Sequence, residues 1–554
     1  MHGVISSEEN PNQTYDIFYN HRGKLYAIIG SLMVAMLLSA LDQMIFSTAL
    51  PTIVGELDGV NHMLWVTTAY ILAATVSMPV YGKLSDLIGR KALLLIGIII
   101  FILGSIVGGL ADNMGVLIAG RAIQGLGGGG LMILSQAVIA DVVPIAKRGK
   151  YMGLIGAVFG LASVLGPLLG GWFTDGPGWR WAFWFNLPVG VIALLVVTFI
   201  LKIPSKKNKV NFDIWGTLTM AIAVSSLVLF TSWGGTEYDW DSPTILGLIA
   251  TCVVFIGLFI LAELKAKDPL IPLKVFKDSN FTIAAIAGLL VGVGMFGALT
   301  YLPTYLQIVN NTGATNSGLL LLPMMAGLIF ASIVSGQIVS RTGNYKWLPI
   351  VGFAITGSAL YLFSTMTVDT QLWETSIYMV IMGLGLGSVM QILVLIIQNS
   401  VPHSMVGVAT STNNFFREIG ASIGGAFVGG LFSHNLVTYL EDNLPQQAGS
   451  ASDTNSLTPA IIATLPEPVH GIIIAGYNQA LTPVFAMMIP LFIVGIIGLF
   501  FIKQHPIIEN EALDHIIEDS ASFITLDHDS ETDSIDIAEV KKLLDEDNKD
   551  DNSL

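Results

Sequence analysis

Four charged side chains stand in stretches that otherwise carry none. Asp42 follows the seventeen uncharged residues Leu25–Leu41, Arg121 is the sole charge between Gly115 and Ala140, and Arg417 and Glu418 are the sole pair between Met405 and Ser433. A charge at the centre of a bilayer costs roughly 2.5–3.5 kcal/mol on insertion scales, so such residues pair with one another or handle ions. Desolvation disfavours a bare carboxylate, so an acid in that setting can hold a proton, and once bare it attracts a cation. Competition between proton and cargo for one acid is the simplest physical basis of exchange. A guanidinium does not give up its proton in a protein; Arg121 would therefore tune an acid beside it or bond to backbone carbonyls. A permanent Asp42–Arg121 ion pair is the alternative to a proton site. Glu418 is a second candidate acid, with a fixed pair to Arg417 as its alternative. Consecutive helix residues point about 100° apart, so those two need not face each other.

The elements that must position these groups are membrane helices. Of 554 residues, 53% are apolar or aromatic and only 12% are Asp, Glu, Lys or Arg, about half the charge of a soluble domain. With a mean hydropathy of +0.71, this excludes a water-soluble enzyme, a nucleic-acid binder and a disordered scaffold. The single cysteine, Cys252, excludes a disulfide framework and a multi-cysteine metal site. The net charge of −15 belongs to the end of the chain: sixteen acids and three lysines follow residue 503, leaving the rest close to neutral. That acidic segment, 504–554, reads as a solvated, largely disordered extension with one short helix around Ile535–Leu544.

Crossing a ~30 Å hydrocarbon core takes about 20 apolar residues. Fourteen segments qualify, at 25–50, 62–82, 92–111, 115–140, 150–173, 182–201, 214–234, 243–262, 279–303, 315–339, 347–366, 375–398, 405–433 and 481–502. The polar residues 1–24 lack a small-residue cleavage site, so the first span is expected to be retained. Nineteen of the 25 basic residues fall on one side, in groups such as Lys83/Arg90/Lys91, Lys147/Arg148/Lys150 and Lys202–Lys209, whereas Arg180 alone falls on the other. This alternation predicts a cell-membrane protein with both termini in the cytoplasm. The external loop 434–480 carries no Lys or Arg and is expected to be partly helical around Thr458–Thr464.

The chain repeats itself. Gly125-Leu126-Gly127 recurs as Gly383-Leu384-Gly385, Gly82 and Gly89 as Gly336 and Gly343, and Gly166, Gly170 and Gly171 as Gly420, Gly424 and Gly425. Each pair runs in the same direction, the mark of a parallel repeat about an axis along the membrane normal. The expected fold is an all-α polytopic membrane protein of fourteen transmembrane helices. Two six-helix bundles, 25–201 and 279–503, form the pseudo-repeat around an inserted pair within 202–278. Bundles of that kind rock against each other to alternate access.

Taken together, these features resemble the major facilitator superfamily, and most closely its fourteen-span drug:proton antiporter branch. The resemblance covers residues 20–503. It rests on Leu41-Asp42 through Ala49-Leu50-Pro51 in span 1, Gly82-Lys83-Leu84-Ser85-Asp86-Leu87-Ile88-Gly89-Arg90-Lys91 after span 2, and Arg121 with Gln124-Gly125 in span 4. It also rests on Gly156, Gly160, Gly166-Pro167 and Gly170-Gly171 in span 5, Trp179-Arg180-Trp181 with Phe183, Asn186 and Pro188, and Arg417-Glu418-Ile419-Gly420 in span 13. Many relatives carry Gln where Glu418 stands. The resemblance implies that Arg121 serves proton coupling, that the span-5 motif marks antiport, and that the loop after span 2 is a cytoplasmic gate. Packing alone also accounts for small residues in span 5.

In that gate, Asp86 is expected to cap the inner end of span 13, where the helix dipole is positive, and Arg90 to pair with Asp141. Met44, Phe46, Gln124, Tyr301, Tyr305 and Gln391 are the expected cavity walls. Gly125-x-Gly127-x-x-Gly130 and Gly292-x-Gly294-x-x-Gly297 fit a dinucleotide fingerprint literally, but no strand precedes either inside its apolar span. No cofactor, metal or nucleic-acid partner is called for. The expected partners are protons, drug-like small molecules and the bilayer, and a monomer is expected. The leading reading is a proton-coupled exporter of amphipathic cationic or zwitterionic drugs. A narrow exporter of one antibiotic, metabolite or lipid-like compound is the alternative, and a receptor or channel is the reading from another class.

Overall fold

The computed structural model describes residues 22–57, 63–201, 212–235, 237–309, 320–443, 462 and 469–504. The acidic segment after residue 504, the residues before 22, the basic linker Lys202–Lys209 and the predicted helices around Ile535–Leu544 and Thr458–Thr464 lie wholly or almost wholly outside these. Fourteen long helices fill the described residues: α1 (Arg22–Glu56), α2 (Met63–Ile88), α3 (Arg90–Gly109), α4 (Met114–Val142), α5 (Ile145–Asp175), α6 (Asn186–Ile200), α7 (Ile214–Trp233), α8 (Pro243–Lys265), α9 (Ser279–Val309), α10 (Leu322–Thr342), α11 (Trp347–Ser364), α12 (Leu372–Asn399), α13 (Val406–Asn443) and α14 (Val469–Phe500). A one-turn helix, Trp181–Trp184, leads into α6. Twelve of the fourteen have the length and hydropathy to cross a membrane on those grounds alone, α6 when joined to that preceding turn as Trp181–Ile200; α2 and α13 are the other two. Among the described residues the only β feature is one isolated bridge, Gly234 to Tyr238.

Local chemistry sets the helix ends. Asn113 accepts a hydrogen bond from the Val116 amide at 3.0 Å, Asp213 from Gly216 at 2.8 Å and Ser242 from Ile245 at 3.3 Å, each filling an orphan donor of a first turn. Gly89 and Gly343, a pair of the sequence repeat, take φ of 98° and 69°. That conformation suits glycine, and it separates α2 from α3 and ends α10. The span boundaries hold at most helices. The largest departures lie at the end remote from the basic loops, where α13 continues to Asn443 and α14 starts at Val469; at the basic end α2 runs on to Ile88 and α5 starts at Ile145.

The repeat reappears as packing. Gly125 and Gly127 of α4 lie against Tyr70 of α2 and Phe101 of α3, and Gly383 and Gly385 of α12 lie against Met324 of α10 and Thr356 of α11. Gly166 of α5 meets Met44 of α1 just as Gly420 of α13 meets Leu289 of α9. Each contact in the first bundle thus has its counterpart eight helices later. Small residues here let backbones approach closely, which is how helices associate in lipid. The inserted pair α7–α8 packs through Met220, Val224 and Val228 onto Phe415 and the partly buried Leu72, Val76 and Val80.

The bundles touch at the end bearing the basic loops. There Gly82 of α2 crosses Gly407 of α13, and Gly336 of α10 crosses Gly149 of α5. Toward the opposite end they part around a cavity of about 1000 Å³ that reaches Thr52, Trp172, Asp175 and Leu321.

Candidate functional site

Asp42 is fully buried, and the helices surrounding it supply a donor to each oxygen. Arg121 of α4 makes a short ion pair with Oδ2, Gln124 Nε2 reaches Oδ1 at 3.0 Å, and Asn186 Nδ2 of α6 reaches Oδ1 at 2.8 Å. Ser105 of α3 accepts from Gln124 at 2.8 Å and from Asn186 at 3.3 Å, which orients both amides. The Arg121 guanidinium lies between the rings of Phe46, at 4.1 Å, and Tyr70, at 4.4 Å, a cation–π sandwich. It also donates to Gln124 Oε1 at 2.9 Å and to the Val66 carbonyl at 3.4 Å. Asp42 does not line the cavity; its neighbours Gln43 and Met44 do. The expected shared site for proton and cargo is therefore, in this conformation, a closed cluster one residue behind the wall.

Glu418 and Arg417 do line the cavity. Glu418 retains 23% exposure, whereas Arg417 is nearly sealed, and their nearest atoms are 3.9 Å apart. Arg417 Nη2 lies 3.7 Å from Met132 Sδ, and Nη1 has no hydrogen-bond partner among the described residues. With Asp175 at the rim, these are the charged lining residues among those described; seven described methionines, among them Met44, Met132 and Met325, supply much of the rest.

Of the six side chains expected on the wall, only Met44 is there. Phe46 and Gln124 are turned into the Asp42–Arg121 cluster. Tyr301 stacks on Phe432 at 5.6 Å, and Tyr305 accepts a hydrogen bond from Asn478 at 2.7 Å. Gln391 is buried at the α5–α10–α12 crossing, near Gly156, with neither amide atom partnered among the described residues. Each sits on the expected helix and on another face, which residue type and depth alone do not fix.

The gate residues come together. Asp86 Oδ1 and Oδ2 accept from the Gly407 and Val408 amides at 3.0 and 2.9 Å, at the start of α13. Arg90 stands 3.5 Å from Asp86 and pairs closely with Asp141. Burial pushes the Asp86 carboxyl up to about 6 against the opposing pull of Arg90 and the two amides. Gly82 permits the crossing and Gly89 the turn, while Lys91 only donates to the Thr198 carbonyl, at 2.8 Å on the surface.

The span-5 glycines divide by task. Gly156 and Gly160 face Ser332 and Ile329 of α10, and Gly166 faces Met44; Gly171 has open space, and Gly170 accepts from Thr174 at 3.0 Å. Pro167 lines the cavity.

At the opposite end the lone base Arg180 pairs with Glu56, whose second oxygen takes the Trp179 indole N–H at 2.8 Å. These bonds hold the Glu56 carboxyl below its ordinary range. Sequence reasoning missed a polar layer between the bundles: Asn414 donates to Gln136 Oε1 at 2.8 Å, and Gln398 donates to Thr410 at 2.9 Å. Its signal was the run Thr410-Ser411-Thr412-Asn413-Asn414 inside an otherwise apolar span.

The description of a family model, that of the Major Facilitator Superfamily, fits residues 32–425. The chain is 42% identical over 437 residues to the multidrug transporter protein MdtP of Bacillus subtilis, covering 77% of this chain and 80% of that one. It is 34% identical over 491 residues to multidrug resistance protein 3 of the same organism, covering 86% and 95%. Among solved structures it resembles the human organic anion transporter MFSD10 (TETRAN), with a TM-score of 0.57, 14% identity and coverage of 86% and 99%. It also resembles the proton:xylose symporter XylE, with a TM-score of 0.56, 14% identity and coverage of 89% and 99%. At such identities the structures speak for the fold alone. With the fold, the repeat and the sequence relatives in agreement, the chain belongs to the Major Facilitator Superfamily and is a membrane-embedded transporter of small molecules, not an enzyme.

Proposed function

We propose that the protein is a proton-coupled exporter of amphipathic cations and zwitterions. The observation that carries this reading is Glu418, among the described residues the one carboxylate deep in the cavity wall, set among methionines and 3.9 Å from Arg417. Methionine side chains are flexible and polarizable and re-pack around different shapes, which favours many substrates over one. A bare Glu418 balances Arg417 and attracts a cation. A protonated Glu418 leaves the Arg417 charge uncompensated, and that charge repels a cationic cargo outward. Asp42, held by Arg121, Gln124 and Asn186, is the second proton site, separate from cargo. It acts on the cavity through Gln43 and Met44, which follow it on α1.

In this reading the basic loops face the cytoplasm, the Asp86–Arg90–Asp141 group is the inner latch, and the present conformation is open outward. The bundles 25–201 and 279–503 are the moving units, with 202–278 as the inserted pair, in a monomer of the cell membrane. Two named relatives are multidrug proteins, which supports the export direction. The test is transport in proteoliposomes with an imposed pH gradient, using ethidium as cargo. An inward proton gradient is expected to drive ethidium against its own gradient. Cargo flux indifferent to pH on both faces would remove the proposal.

A further inference from the structure

The two bundles meet along two lateral seams, and the helices treat them differently. On the α2–α13 side the inserted helix α7 lies across the seam, with Met220, Val224 and Val228 packed against Phe415 and the partly buried Val76, Val80 and Phe416. The end of α7 remote from the basic loops is pinned to both bundles. Trp233 meets Trp65 of α2 edge to face at 5.4 Å, and Trp240 of the α7–α8 hairpin lies against Gly430 of α13.

On the α5–α10 side four glycines of α5, Gly149, Gly153, Gly156 and Gly160, approach Gly336, Ser332 and Ile329 of α10 closely. Beyond Gly160 the next glycine, Gly166, faces Met44 of α1 instead of α10, and Leu168 and Trp172 of α5 and Leu322 of α10 line the cavity between the two helices. Leu161, Leu168 and Trp172 recur on one helical face and are 44%, 46% and 62% exposed. Leu161 is not a cavity residue, so this face looks toward the bilayer, and Leu168 and Trp172 belong to both surroundings. Among the described residues no helix straddles this seam beyond Gly160 as α7 straddles the other.

We infer that the α5–α10 seam is a side portal through which an amphiphile with an apolar body passes between the cavity and the outer half of the bilayer, and that α7–α8 seal the opposite seam. Such a cargo keeps its apolar part out of water throughout, and Trp172 sits at the portal mouth, at the depth where indoles favour a membrane interface. The seal also explains why α7 contacts both bundles: it must stay seated while they rock. The inference rests on the export reading only for the identity and direction of the cargo.

The test uses the full chain with Cys252→Ala, reconstituted in phosphatidylcholine vesicles without a pH gradient or cargo. Single nitroxide labels are attached at Leu168→Cys, Leu322→Cys and Val76→Cys, and collision with lipid-soluble oxygen is compared with collision with a water-soluble nickel chelate. Oxygen collision at the first two sites is expected to be at least threefold that at Val76, and Trp233→Ala is expected to raise the Val76 value. Equal oxygen collision at all sites, or relaxation of both portal labels by the nickel chelate alone, overturns the portal. Either portal site suffices should the other variant fail to fold. A bulky maleimide on Leu168→Cys is then expected to slow efflux of a membrane-partitioned fluorescent cation about tenfold; an unchanged rate also overturns it. The collision measurements need no transport, so their failure leaves proton coupling standing, and a loss of coupling leaves them unchanged.

Discussion

At the residue scale, the Asp42–Arg121 pair asks what a buried charge pair is for. Removing one partner of such a pair leaves the other uncompensated and costs about 3–5 kcal/mol. Asp42→Ala would strand Arg121 between Phe46 and Tyr70 and is expected to lower the unfolding temperature and membrane yield. Asp42→Asn keeps the shape and an acceptor for Arg121 but cannot carry a proton. It is expected to fold and to lose at least tenfold in pH-driven export while still binding ethidium; export at the wild-type rate would take Asp42 out of the coupling scheme. The pair was legible as the alternative to a proton site, because both residues are lone charges in apolar stretches and opposite charges in lipid seek each other. Asn186 and Ser105 were not legible as its partners, since their place depends on how α3 and α6 are rotated, and neutral residues carry no such long-range constraint. The same limit explains Tyr301 and Tyr305, assigned to the right helices and to the wrong faces.

At the scale of elements, the inner latch is a helix start held by a carboxylate. Two amide donors of α13 serve Asp86, and a hydrogen bond to a charged group contributes about 1.5–3 kcal/mol. Asp86→Ala is therefore expected to shift the population toward the inward-open state by tenfold or more, read as faster labelling of a cysteine placed at Met132 by a membrane-impermeant maleimide supplied on the cytoplasmic side only. Gly407→Ala should act alike for a steric reason, because its Cβ would stand 2.6 Å from Asp86 Oδ1 and from the Gly82 carbonyl. The latch also predicts a pH response. Closed, Asp86 is pushed up to about 6; released into water it returns toward its ordinary 3.8. The closed state thus binds a proton between about pH 4 and 6 that the open state does not. Closure gains as pH falls through that window, weakens as pH rises through 6, and is insensitive to this group above it. Distances between spin labels on the inner ends of α2 and α13 should follow this curve, and Asp86→Asn should flatten it. This element was legible because Gly82–Lys91 resembles the superfamily's gate motif and an acid there suits the positive end of a neighbouring helix dipole. The crossing of α5 with α10 was not: its glycines read as packing in general, and only the folded chain shows that Gly156 and Gly160 face the other bundle while Gly166 faces α1.

At the scale of the whole molecule, the proposed two acids sit in different bundles, Asp42 on α1 and Glu418 on α13, and this sets the electrical work of a cycle. One proton exchanged for one monovalent cation moves no net charge and draws nothing from the membrane voltage. If both acids take up protons from outside and release them inside, a monovalent cargo leaves one net charge moved inward per cycle. That charge is worth about 2.3 kcal/mol per 100 mV, close to a fiftyfold change in the attainable gradient at 25 °C. In vesicles clamped with potassium and valinomycin, with pH equal on both sides, an inside-negative voltage should accumulate a monovalent cation outside to about that extent. A divalent cargo exchanged for the same two protons should ignore the voltage. Glu418→Gln removes one proton and, like the protonated acid, leaves Arg417 uncompensated, so monovalent export should fall under a pH gradient and what remains should lose its voltage dependence. Divalent export, needing both charges, should fall most. A wild-type protein whose monovalent export is blind to voltage, with Glu418→Gln indistinguishable from it, would leave Asp42 as the sole proton carrier and return Glu418 to the role of a fixed neighbour of Arg417.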